Sequence, residues 1–130
     1  MSETVHTLLF FDGHPRAFPL YQALEAAILQ RFEGVRIWVG KTQIGFYGEH
    51  LFACASFLPA RKKADRPDPF LTVSFGLDTP LRHPRAVAVQ VSPRRYTHHV
   101  LIGAPEEVDD VLMGWIEASY ALSCKKTGKG

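Results

Sequence analysis

The chain has few cysteines, no long apolar run and almost no net charge, and each shortage removes a class of protein. Only Cys54 and Cys124 are present. They lie far apart, make no CxxC pair, and fall in a predicted strand and at the chain end. No disulfide framework is expected, and a reducing cytoplasm suits the composition. No apolar run approaches about 20 residues, so no helix is expected to cross a bilayer. The opening "MSETVHTLLFFDGHP" has neither the basic start nor the small-residue cleavage site of a secretory leader. Formal net charge is +2, but the closing "SCKKTGKG" carries Lys125, Lys126 and Lys129 and no acid. Without those three lysines the 15 basic side chains fall to 12, against 13 acidic ones. The body is thus near neutral, which argues against a dedicated nucleic-acid binder with its excess positive face.

What is present has a globular balance: 130 residues, 46% hydrophobic and 22% charged. The expectation is a single domain over 1–122 followed by a basic, flexible tail over 123–130. "HPRAFPLYQALEAAILQRFEG" reads as a helix, because Leu20, Leu24, Ala27, Ile28 and Phe32 recur on one face with Tyr21 beside them. Pro15 and Pro19 suit a first turn, and Gly34 a stop. The preceding "TLLFF" fits either a strand or a helical turn. Six short segments rich in β-branched and aromatic residues follow: "VRIWV", "QIGFY", "LFACASFL", "FLTVSFGL", "AVAVQVS" and "YTHHVLI". A second helix is expected over "APEEVDDVLMGWIEASYALS", with Val108, Val111, Leu112, Trp115 and Leu122 as its apolar stripe. Pro105 sits in its first turn, and the acids of "EEVDD" crowd the positive end of its dipole. The fold class is α+β: a mainly antiparallel sheet of about six strands with two principal helices packed on one face.

"VGKTQIGFYG" contains Gly-Lys-Thr, the end of a phosphate-binding P-loop. A P-loop also needs a glycine five residues before that Gly-Lys pair, and a helix after it. The nearest upstream glycine, Gly34, is six before Gly40, and "QIGFY" alternates like a strand. A hairpin turning at Gly40-Lys41 in a type II′ turn explains the letters better. Its register pairs Val39 with Thr42, and Ile37 with Ile44. A second turn at Gly48-Glu49 pairs Phe46 with Leu51. Side-chain alternation then puts Val35, Ile37, Val39, Ile44, Phe46, Ala53, Ala55 and Phe57 on a core face. Leu71, Val73, Phe75, Val87, Val89 and Val91 are expected to join them. Trp38, Gln43, Tyr47, Phe52, Cys54, Thr72, Ser74 and Gln90 fall on the outer face.

That aromatic and polar outer face is the candidate binding surface, unless a loop or the N-terminal segment folds over it. Trp38, Gln43, Tyr47 and Phe52 are the expected contacts, with Lys41 and His99 as polar anchors. His98 and His99 are adjacent on a strand and point to opposite faces, so they do not ligate one ion together. The other histidines are scattered singly; no metal and no cofactor is expected. Cys54 has no nucleophile motif. Ser74 in "VSFG" lacks the glycine two residues before it that a nucleophile elbow requires. No catalytic residue is assigned.

"FFDGHPRAFPLYQALEAAI", "VGKTQIGFY" and "YTHHVLIGAPEEVDDVLMGWIEASY" together resemble a bacterial family of unknown function. That family is similar in turn to the C-terminal part of predicted transport proteins, some joined to restriction-type nuclease modules. The resemblance runs from about Phe10 to Tyr120. Its most specific motif is aromatic-Thr-His-His followed by a Pro-Glu-Glu helix start, and Tyr96 stands where many relatives carry Trp. The resemblance implies a sheet-and-helix domain, remotely similar to frataxin-like iron chaperones, whose dense acidic ridge this chain lacks. It implies no catalytic residues.

The leading functional reading is a non-enzymatic, cytoplasmic binding domain that uses the outer sheet face for a small molecule or a protein partner, a homodimer included. The rivals are a small hydrolase or transferase with Cys54 or a histidine as its reactive group, and nucleic-acid binding through the arginine-bearing loops.

Overall fold

The computed structural model describes residues 2–128, with side chains from 5 to 125. It contains helices α1 (Ser2–Phe10), α2 (Phe18–Arg31) and α3 (Asp110–Gly128). The strands are β1 (Arg36–Val39), β2 (Gln43–Tyr47), β3 (Leu51–Ser56), β4 (Leu71–Leu77), β5 (Val87–Ser92) and β6 (Arg95–Ile102). They form one sheet in the order β1-β2-β3-β4-β6-β5, every neighbouring pair antiparallel. The fold is α+β, as the sequence pattern implies. "TLLFF" begins in α1, and the proline-bearing turn Pro15–Ala17 is a separate 3-10 turn that leads into α2. Gly34 takes φ +68° just beyond α2, in the left-handed region that favours glycine.

Leu20, Tyr21, Leu24 and Ile28 of α2 and Leu112, Met113 and Ile116 of α3 pack into one core with the inner side of the sheet. The inner row Val39, Ile44, Ala55, Val73 and Val100 runs straight across five strands. Tyr21 stacks on Phe46 at 6.1 Å, and Trp115 on Phe75 at 6.2 Å. Arg31 ties the two helices together at the surface through Glu117 at 2.8 Å and Asp110 at 3.0 Å. Pairs this exposed contribute about 0–1 kcal/mol, so apolar burial holds the layers.

The first hairpin differs from expectation in register and turn. Val39 pairs with Ile44 and Ile37 with Phe46. The Gly40 N–H donates to the Gln43 carbonyl at 2.8 Å, so the chain reverses at Lys41-Thr42, one residue later than expected, and Gly40 does not have the positive φ of a type II′ turn. An even shift leaves each side chain on its face. Parity therefore survives the wrong turn.

Two other assignments are corrected. Tyr47 pairs with Leu51 but Phe46 with Ala53, so Phe52 is the extra residue of a β-bulge. The bulge breaks the alternation and turns Phe52 inward beside Ala53. It lies between Phe32 at 5.2 Å and Tyr120 at 5.0 Å. Ser119 of α3 repairs the ladder there: its Oγ donates to the Phe52 carbonyl at 2.7 Å and accepts from the Gly76 N–H at 3.2 Å. At the other edge, Val87 pairs with His99 and Val89 with Thr97, residues of the outer face. Val87 and Val89 are therefore outward, and Val91 sits at a second irregularity, 66% exposed. The small Ala88 takes the inner position opposite His98.

The second helix also starts later than expected. Pro105–Glu107 is its own 3-10 turn, and Asp109 begins α3 by accepting from the Leu112 N–H at 3.0 Å. Glu107 instead accepts from the Gly103 N–H at 2.5 Å, so the acidic run splits into separate caps rather than one charged first turn. Val111, expected on the apolar stripe, faces outward and is 48% exposed.

Candidate functional site

The outer face of the sheet is read most simply along one row. Trp38, Gly45, Cys54, Ser74, His99 and Val87 are successive cross-strand partners over all six strands. Neighbouring strands lie about 4.8 Å apart, so Cys54, Ser74 and His99 span roughly 10 Å. Small side chains in the middle of the row leave a depression. A groove of about 680 Å³ opens over it, with Gln43, Cys54, Ser56, Ser74, Thr97 and His99 as its floor. Lys41 and Thr42 of the β1–β2 loop close one end.

The walls come from chain that folds back over the sheet. Thr72 Oγ1 donates to the Leu58 carbonyl at 2.7 Å, and the Leu58 N–H donates to Ser56 Oγ at 3.2 Å. Both backbone groups of Leu58 are thus held by hydroxyls of the outer face. Phe57 beside it is stacked by Phe10 at 5.6 Å and by His14 at 4.0 Å. The end of α1 supplies Phe10 to the groove, and the turn between α1 and α2 supplies Gly13 and His14. The result is an apolar aromatic wall above a polar floor.

The floor is ordered by hydrogen bonds. Ser74 Oγ and His99 Nδ1 lie 2.8 Å apart, and the Cys54 thiol donates to Gln43 Oε1 at 3.6 Å. Burial pushes the Cys54 thiol above its ordinary range, and its hydrogen bond with Ser74 offsets this only in part. Burial lowers His99, which favours the neutral imidazole. The floor is thus a neutral thiol, a neutral imidazole, hydroxyls and an amide. A thiolate nucleophile needs a setting that lowers its pKa, whereas burial raises that of Cys54.

Of the six residues singled out in the sequence, the groove brings together Lys41, Gln43 and His99. Trp38 shares the outer face but lies across Gly40 at the β1 edge, 59% exposed and away from the groove. Tyr47 lies with Leu51 over Gly45, where a Cβ would sit 2.8 Å from the Tyr47 ring. Phe52 is in the core. The sequence reading placed Cys54, Thr72 and Ser74 on this face by parity; Phe57 it placed on the core face, but β3 ends at Ser56 and Phe57 lines the groove instead, and Phe10, His14 and Leu58 it did not connect with the site. His98 and His99 do separate to opposite faces. His98 is fully buried and stacked on Phe75 at 5.4 Å, its Nε2 accepting from the Leu81 N–H at 2.9 Å.

Among the described residues no group of three or more His, Cys, Asp or Glu could hold a metal ion, and no helix is long and apolar enough to cross a membrane. Of the arginines in the loops, Arg85 is engaged with Asp109 at 3.1 Å and the Glu107 carbonyl at 2.8 Å, and Arg61 donates to the Pro84 carbonyl at 2.5 Å.

A family model described as a domain of unknown function, DUF5655, matches residues 9–123. The chain belongs to the DUF5655 family. That span covers both groove walls, the whole sheet and most of α3. No curated protein and no solved structure matches the chain. The family description carries no activity, so any function of this DUF5655 domain is argued from its own groove.

Proposed function

We propose that this is a non-enzymatic binding domain whose ligand is a small molecule held in the outer-face groove. The observation that carries the reading is the pairing of an aromatic wall, centred on Phe57, with a polar floor in a space of about 680 Å³. Small-molecule sites of about 300–1,000 Å³ have this composition, with apolar walls for affinity and a few polar groups for orientation. The neutral thiol of Cys54 supports binding over covalent chemistry.

A two-dimensional NMR screen of small organic fragments tests it. Binders are expected to move the amides of Gln43, Ser74, Thr97 and His99 together, and Thr97→Trp, which fills the floor, is expected to abolish the shifts. Shifts confined to Trp38, Tyr47 and the β5 valines, accompanied by self-association, would instead locate the contact between copies of the chain and overturn the groove reading.

One observation favours the enzymatic rival: the Ser74–His99 hydrogen bond, in which the imidazole is placed to take the hydroxyl proton. A fluorophosphonate probe separates the two. Covalent labelling of Ser74 that is lost in His99→Gln supports acyl-transfer chemistry, whereas an unlabelled Ser74 in a ligand-competent domain supports binding alone.

A further inference from the structure

We infer that the groove selects a small organic anion: an acid whose charged group meets Lys41 while its apolar part lies along Phe57. This rests on the groove being the binding surface and adds the chemical class of its ligand.

The first support is charge. The residues lining the groove include the cation Lys41 and not one Asp or Glu, although the chain carries 13 acidic residues. Four of those acids are engaged by arginines elsewhere, in the pairs Arg16–Asp68, Arg31–Asp110, Arg31–Glu117 and Arg85–Asp109. The Lys41 ammonium, by contrast, has no ion-pair or hydrogen-bond partner among the described residues. A cationic ligand would meet that charge with no carboxylate to offset it, and a neutral ligand would leave it without a counter-charge.

The second support is hydrogen-bond valence. The Gln43 carbonyl oxygen already accepts from the Cys54 thiol, which leaves its amide group as a donor. The hydroxyls of Thr42 and Thr97 add donors near it. A surface rich in donors and free of carboxylates suits a carboxylate or phosphate oxygen, and a charge-assisted bond to Lys41 is the strongest contact available. Size supplies the rest. About 680 Å³ far exceeds an inorganic anion, and the space beyond Lys41 is walled by Phe10, Phe57 and Leu58.

The test is an NMR affinity comparison of three probes of one shape: 4-phenylbutanoate, 4-phenylbutanamide and 4-phenylbutylamine. The acid is expected to bind about tenfold or more tightly than the amide, with the amine weakest, and Lys41→Gln is expected to erase the difference between acid and amide. Lys41 lies in an exposed loop, so this variant keeps the fold. If acid and amide shift the floor amides with equal affinity, the anion inference is wrong while the groove reading stands. If the amine binds best, the charge argument is reversed. If none of the three shifts the floor, the groove reading and the inference fall together.

Discussion

Ser74 Oγ and His99 Nδ1 meet at 2.8 Å across the β4–β6 ladder, in the floor of the groove. The next residue back, His98, points through the sheet into the core. One dipeptide therefore carries a site imidazole and a structural one, and burial lowers the pKa of both, with the proximity of the two rings adding to the effect at His98.

The shared direction predicts acid sensitivity. An unfolded histidine titrates near 6.5, and both folded values lie below that. Above the unfolded value both rings are neutral in either state, and their contribution to stability is complete. As pH falls through it, the unfolded chain takes up protons that the folded chain refuses. Stability is then lost toward the folded values, at up to about 1.4 kcal/mol per pH unit for each proton. Urea denaturation between pH 8 and pH 5 is expected to show this slope, and His98→Gln to flatten it. A wild-type midpoint independent of pH would refute the burial argument.

The two cysteines are expected to differ in reactivity. Cys124 is exposed, whereas the Cys54 thiol is partly buried, hydrogen-bonded and raised in pKa. At pH 8, iodoacetamide followed by peptide mass spectrometry is expected to show Cys124 modified well before Cys54. Faster alkylation of Cys54 would restore the thiol-based rival.

Ser119 holds two backbone groups where the β3 bulge opens the sheet. Ser119→Ala leaves the Phe52 carbonyl and the Gly76 N–H without that partner, and is expected to cost about 1–3 kcal/mol. Chemical denaturation measures the loss. Hydrogen exchange should place it at the β3–β4 junction, with the groove floor unaffected.

Trp38 and Phe52 belonged to one outer-face set by sequence parity and are separated by the bulge. Phe52→Ala removes a core ring packed between Phe32 and Tyr120 and is expected to cost about 3–5 kcal/mol. Trp38→Ala removes an exposed ring and is expected to cost well under half of that, with fragment binding in the groove unchanged. Equal losses would mean that the bulge is misplaced.

These contrasts show which parts of the fold were legible in the chain. The helix face of Leu20, Leu24 and Ile28, the strand segments and the inward set Ile37, Ile44, Phe46, Val73 and Phe75 follow from periodicity, because alternation and helical spacing are local geometry. Faces survived even where the turn was wrong, since a slip of two residues restores the same side. A bulge is a slip of one, and nothing in "HLFACAS" announces it; Phe52 was lost there. The β5 valines alternate well enough, but alternation does not say which side a helix will cover.

The sequence by itself determined the face composition of β1, β2 and β4 and the presence of Lys41, Gln43, Cys54, Ser74 and His99 on or beside the outer face. Periodicity is a property of neighbouring residues, so it can be read along the chain. Only the tertiary structure decided that Ser74 bonds His99, that Leu58 is fastened to the sheet by two hydroxyls, and that Phe10 and His14 wall the space above. Apart from the local Leu58–Ser56 bond, those contacts join residues 14 to more than 40 positions apart, and they depend on the sheet order and on loops whose paths no local pattern encodes.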